Sequence, residues 1–169
     1  MKPSILLCAI LVAVQSICAQ PQIQTPLGDK QARKSAPWVK TGIIYEIYPR
    51  AFSPEGTFAG IEKKLPELKS LGVTILWLMP IHPVGIERRK GTLGSSYSVR
   101  DYYGINPEYG TLDDFKRLVE SAHALGLKII IDLVANHTSW DSKILRQHPD
   151  WFTKDSTGAI VSPVPDWSD

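Results

Sequence analysis

IIIDLVANHT, Ile129 to Thr138, is the stretch on which the fold turns. Five of its first six residues are large aliphatics, the composition of a strand buried on both faces. Asp132 interrupts the run, and Asn136 and His137 follow where it ends. A buried carboxylate is costly unless it is hydrogen-bonded or paired. Strand alternation puts Asp132 on the face of Ile130 and Val134, pointing into a packed layer. A hydrogen-bonding anchor for neighbouring loops is the favoured role there, ahead of direct catalysis.

A helix, a glycine and a strand occur twice in succession, once upstream of this strand and once ending in it. Thr111 and Asp114 have the spacing of a capping box. Leu112, Phe115, Leu118, Val119, Ala122 and Leu125 then form an apolar stripe. Gly126 ends that helix, and LKIIIDLV (Leu127 to Val134) is the strand. Earlier, Ile61, Leu65, Leu68 and Leu71 mark a helix, with Pro66 predicting a kink or a late start. Gly72 stops it in left-handed conformation, and VTILWLMP (Val73 to Pro80) is the next strand. IIYEIYP (Ile43 to Pro49) is the first strand of the series. Strands apolar on both faces, alternating with amphipathic helices, predict a parallel sheet covered by helices. A doubly wound open sheet and a (β/α)₈ barrel both fit. Both keep function at the C-terminal ends of the strands, where Asn136 and His137 lie.

Composition sets the outer bounds. The chain has 169 residues, 43% hydrophobic and 21% charged, with a formal net charge of +2. No field strong enough to argue for nucleic acid is present, and Glu87–Lys90 (ERRK) is read as a solvated loop. Met1 and Lys2 precede an apolar run of ten, Ile5 to Val14, and small Ala19 follows. This is the pattern of a secretory signal peptide over residues 1–19, too short to span a membrane; lipid attachment at Cys18 is the lesser alternative. Both cysteines, Cys8 and Cys18, fall inside it. Export without disulfides predicts a domain stable on its core alone, secreted or periplasmic. Residues 20–40, rich in Gln, Pro and Lys, are read as a flexible leader.

The connection His82–Gly110 is long enough to suggest function. It contains GSSYSVRDYYGINPEYGT (Gly94 to Thr111), with four tyrosines and Asp101. Aromatic faces suit sugar rings and carboxylates suit their hydroxyls. Packing of the loop on the sheet rim is the stronger reading for most of these tyrosines. Asn136 is an oxygen ligand type suited to Ca²⁺. The remaining histidines, His82, His123 and His148, have no metal-ligand spacing, and His123 is read as helix surface. Trp140, Trp151 and Trp167 crowd the C-terminal segment, as a small core or as stacking surfaces for sugar.

Four stretches, taken together and in order, resemble the α-amylase family, glycoside hydrolase family 13: IIYEIYPRAF, LGVTILWLMPIHP, YSVRDYYGINPEYGTLDDF and DLVANH. DLVANH is similar to that family's D-x-x-x-N-H region at the end of its third strand. The resemblance implies a (β/α)₈ barrel acting on α-glucosidic bonds of starch-like glucans with retention. It implies that Tyr97 stacks on the sugar at the cleavage site and that His137 hydrogen-bonds it. Asn136 would contribute to a structural calcium site, and Asp101 and Asp132 would be buried organisers of the loops. The family's catalytic carboxylates follow strands four, five and seven, so they are expected beyond Asp169. The chain from Thr41 onward is about half the ~250 residues of a barrel. The expectation is therefore three βα units over residues 41–137, the start of an inserted small domain over 138–169, and no activity from this chain alone. Two rivals stand beside it: a non-catalytic barrel relative serving as a binding or subunit protein, and an unrelated α/β protein.

Overall fold

Thr57 opens the first long helix by accepting a hydrogen bond from the Gly60 N–H at 3.2 Å. The structure is a computed structural model that describes Gly28 and residues 30–162; the segment read as a signal peptide, and Trp167, lie outside those residues. The described part of the first unit, Met1–Ser35, is exposed. The second unit begins at Ala36. It contains β1 (Ile44–Ile47), β2 (Ile75–Leu78) and β3 (Lys128–Ile131). Its helices are α1 (Pro37–Thr41), α2 (Pro49–Phe52), α3 (Phe58–Ser70), α4 (Leu112–Ala124) and α5 (Lys143–Gln147). A 3₁₀ turn follows at Pro149–Trp151. The leader reading over residues 20–40 is thus corrected at its end, where Pro37 at the first helical position presets φ for α1.

The three strands are parallel, in the order β1-β2-β3. Glu46 pairs with Trp77 and Trp77 with Ile130, so these three lie abreast on one face. The other face presents Ile47, Leu76, Leu78 and Ile129 to α3 and α4. There they form one core with Phe58, Ile61, Leu65, Leu68, Leu118 and Ala122. β2 is buried at Ile75, Leu76 and Leu78 and half-buried at Trp77. Burial of every strand on both faces is not what the structure shows: Ile44 is 53% exposed in β1 and Ile131 is 41% exposed in β3. Each of these is an outer strand of the sheet, with one neighbour to cover it.

Both long helices end in the same way. Gly72 and Gly126 have φ of +86° and +73°. Val73 N–H donates to Leu68 C=O and Gly72 N–H to Lys69 C=O; Leu127 N–H donates to Ala122 C=O and Gly126 N–H to His123 C=O. These are paired Schellman closures, which satisfy the last carbonyls and turn the chain into the next strand. They also explain two departures from the apolar stripes. Leu71 and Leu125 are the cap residues, thrown outward where helical periodicity stops, and Leu71 is 66% exposed. Leu112, in the first turn of α4, is exposed as well. Pro66 sits inside α3, which runs unbroken from Phe58, so the late start is corrected. The capping box is formed in full: Thr111 Oγ1 accepts from Asp114 N–H, and the Asp114 carboxylate accepts from Thr111 N–H.

Candidate functional site

Asp132 is the first residue past β3, and its N–H donates to Leu78 C=O at 3.0 Å. Its side chain lies on the face of Trp77 and Ile130, away from the helices. Both carboxylate oxygens are engaged. Trp77 Nε1–H donates to Oδ1 at 2.7 Å, and the Tyr97 hydroxyl donates to Oδ2 at 2.8 Å. One carboxylate therefore joins a mid-strand indole to a loop phenol at the C-terminal ends of β2 and β3. Its hydrogen bond to Asp132, then burial, push the Tyr97 phenol up to about 12. At neutral pH Tyr97 is thus an O–H donor to Asp132. Asp132 is half-buried rather than fully buried.

Asp101 is likewise half-buried. Its Oδ2 accepts from Lys143 Nζ at 2.5 Å and its Oδ1 from Tyr103 N–H at 3.1 Å. The Lys143 hydrogen bond holds the Asp101 carboxyl below its ordinary value. It ties the loop after β2 to the segment after β3. Of the four tyrosines in that loop, only Tyr97 meets Asp132. The Tyr102 hydroxyl bridges Val134 C=O at 2.6 Å and His137 C=O at 2.9 Å, which fixes the backbone of the A-N-H loop. Tyr109 is fully buried, edge-on to Phe58, and Tyr103 is 96% exposed.

Asn136 is exposed and His137 half-buried; Asn136 Nδ2 stands 3.4 Å from His137 Nδ1. Both line a cavity of about 500 Å³ with Trp140, Ile144, Trp151 and Phe152. The cavity and the Tyr97–Asp132 pair are separate features: neither Tyr97 nor Asp132 lines it. A Ca²⁺ shell needs about six to eight oxygens. Asn136 offers one, and among the described residues no group of three or more His, Cys, Asp or Glu side chains is placed to hold a metal ion. These residues do not make a calcium site by themselves.

The remaining expectations resolve locally. His82 Nδ1 lies 3.0 Å from Gly104 C=O and steadies the loop, and His123 is exposed on α4. Trp140 lies under the Arg88 guanidinium at 4.2 Å. Trp151 stacks on His148 at 4.0 Å and is 67% exposed, so it is no core residue. Sequence reasoning passed over Trp77, Tyr102 and Asp141. Trp77 carried a signal: a buried-strand indole N–H seeks an acceptor, and Asp132 has the right parity. Asp141, between Trp140 and Ser142, carried none.

The alpha-amylase catalytic-domain model matches residues 28–165. Trehalose-6-phosphate hydrolase of Bacillus subtilis (strain 168) is 40% identical over 139 residues, 79% of this chain and 22% of that protein. Alpha-amylase 3 of Dictyoglomus thermophilum is 40% identical over 78% of this chain and 24% of its own length. The crystal structure of an alpha-amylase from Lactobacillus plantarum superposes with a TM-score of 0.75 at 51% identity, covering 78% of this chain and 31% of that one. The chain thus spans about a quarter of the relatives it matches. Among the described residues no helix is long and apolar enough to cross a membrane. The chain belongs to the alpha-amylase catalytic-domain family, and its three strands with their helices are a part of that family's (β/α)₈ barrel.

Proposed function

We propose that the protein carrying this chain is a secreted glycosidase that cleaves α-glucosidic bonds of starch-like glucans with retention. In this reading the chain builds the substrate-side floor of the site and leaves bond cleavage to carboxylates beyond Asp169. The observation that carries the proposal is the Trp77–Asp132–Tyr97 arrangement at the strand ends. With both its oxygens already accepting, Asp132 is an organiser, unlike the free nucleophile of a retaining pair. Tyr97 offers an oriented aromatic face of the kind that packs on a sugar ring. His137, its backbone held by Tyr102, supplies a hydrogen-bonding side chain to the neighbouring cavity. Membership of the family and the activities named for its relatives, an amylase and a hydrolase of trehalose-6-phosphate, support the bond type. The apolar run Ile5–Val14 supports secretion. A calcium ion held partly by Asn136 belongs to the proposal only if oxygens from outside the described residues complete its shell.

The test is release of reducing sugar from maltooligosaccharides by the whole protein, with Tyr97→Ala beside it. Removing a substrate-positioning ring lowers kcat/KM by about 100-fold. Binding without any release of reducing sugar sinks the enzyme reading in favour of a non-catalytic barrel relative. Equal kcat/KM in the two proteins sinks the role given to Tyr97.

A further inference from the structure

The loop after β2 folds back on itself as a narrow ribbon. Val84 and Val99 form an isolated antiparallel bridge. Gly85 N–H donates to Ser98 C=O at 2.8 Å, and Arg100 N–H to Pro83 C=O at 2.8 Å. Tyr97 immediately precedes one arm of this ribbon. The segment after β3 crosses it at Ser139–Lys143. Ser139 N–H donates to Val99 C=O at 3.0 Å, and Lys143 N–H to Arg100 C=O at 2.9 Å. The approach is close: a Cβ on Gly85 would lie 2.3 Å from Ser139 Cβ, so only glycine fits there.

Asp141 sits in this crossing, 6% exposed. Its Oδ2 accepts from Ile86 N–H on one arm at 3.1 Å and lies 3.3 Å from Arg100 Nε on the other. Its Oδ1 accepts from Ser139 Oγ at 2.9 Å, two residues past His137. Burial pushes the Asp141 carboxyl up, but these hydrogen bonds and the Arg100 charge outweigh it and hold the group ionised. A buried carboxylate with this many donors costs less to keep than to disrupt.

We propose that Asp141 is a positioning residue: one carboxylate fixes the ribbon that carries Tyr97 against the loop that carries His137. The strand-end pair Asp132–Tyr97 holds these loops at the mouth of the sheet, and Asp141 holds them again where they cross. Asp141 would touch no substrate and act through Ser139, Ile86 and Arg100. Its catalytic consequence rests on the function proposed above, but its geometric consequence does not.

The experiment uses the whole protein and two readouts. The first is ionisation of Tyr97, followed by tyrosinate absorbance against a Tyr97→Phe reference; Tyr97 faces Asp132 and Glu46. The second is kcat and KM on a maltooligosaccharide. With Asp141→Ala, the Tyr97 ionisation falls from about 12 towards the ordinary 10.0 as the ribbon swings off Asp132. KM rises with it, and kcat/KM drops by up to about 100-fold. Ser139→Ala removes one donor and shifts both readouts the same way by less. It stands in should Asp141→Ala fail to fold. A Tyr97 ionisation left in place by a folded Asp141→Ala, or by Ser139→Ala where that is the variant that folds, overturns the proposal. If the unsubstituted protein cleaves no glucan, the enzyme reading fails, and the tyrosine readout alone decides Asp141.

Discussion

Asp132 accepts two donors from different elements, and the energetic consequence is asymmetric. Tyr97→Phe removes one donor from a half-exposed carboxylate that keeps Trp77, a loss of about 1 kcal/mol. Asp132→Ala leaves two donors, the Trp77 N–H and the Tyr97 O–H, without their acceptor, which costs about 2 kcal/mol or more. Urea unfolding of both variants checks the order; equal losses would mean that the two hydrogen bonds are not shared through one group. That Asp132 needs hydrogen-bonding partners was legible, because a carboxylate inside IIIDLV must find them. Which partners it finds was not, since Trp77 and Tyr97 lie 55 and 35 residues away along the chain. The Asp141 crossing was illegible for the same reason: its distant partners, Ile86 and Arg100, come from a loop without periodicity.

At the scale of single elements, α3 and α4 are written locally and were read closely. A threonine opens each, and a left-handed glycine closes each. Such caps involve neighbours in sequence, so their spacing is visible before folding. Leu71 and Leu125 were misassigned because the stripe was extended one residue past the last helical turn. Thr111→Ala should lower stability by about 1 kcal/mol. The Asp114 carboxyl, held at about 2 chiefly by the Thr111 hydroxyl, gives this cap a pH signature. A depressed carboxyl stabilises the folded state above its unfolded value of 3.8, and the contribution disappears as pH falls towards about 2. Thr111→Ala should therefore flatten the acid limb of a stability–pH curve. An unchanged acid limb would show that the box contributes nothing to the folded state.

For the molecule as a whole, the parallel sheet followed from two strand–helix repeats, whereas barrel versus open sheet could not be decided by periodicity. Three strands with outer ones half-exposed are common to both, and family membership settled the matter. Two phenols on different parts of the fold titrate late. Tyr97 is raised to about 12 first by its bond to Asp132, and Tyr109 to about 12 first by burial. The folded state favours their neutral forms. Their contribution is complete below pH 10.0, where folded and unfolded phenols are both protonated, and is lost as pH rises to about 12. Stability measured by circular dichroism should fall across that window, and Tyr97→Phe should reduce the fall. A transition centred well below pH 10 would assign alkaline unfolding to other groups.

Trp77 has one further consequence. Its indole N–H is bound to the same carboxylate that orients Tyr97, so the excited state of this ring feels any change at the strand ends directly. The fluorescence of Trp77, isolated by difference against a Trp77→Phe protein, is a native reporter of loop position. The molecule carries its own optical gauge at the strand ends, and no label has to be attached to read it.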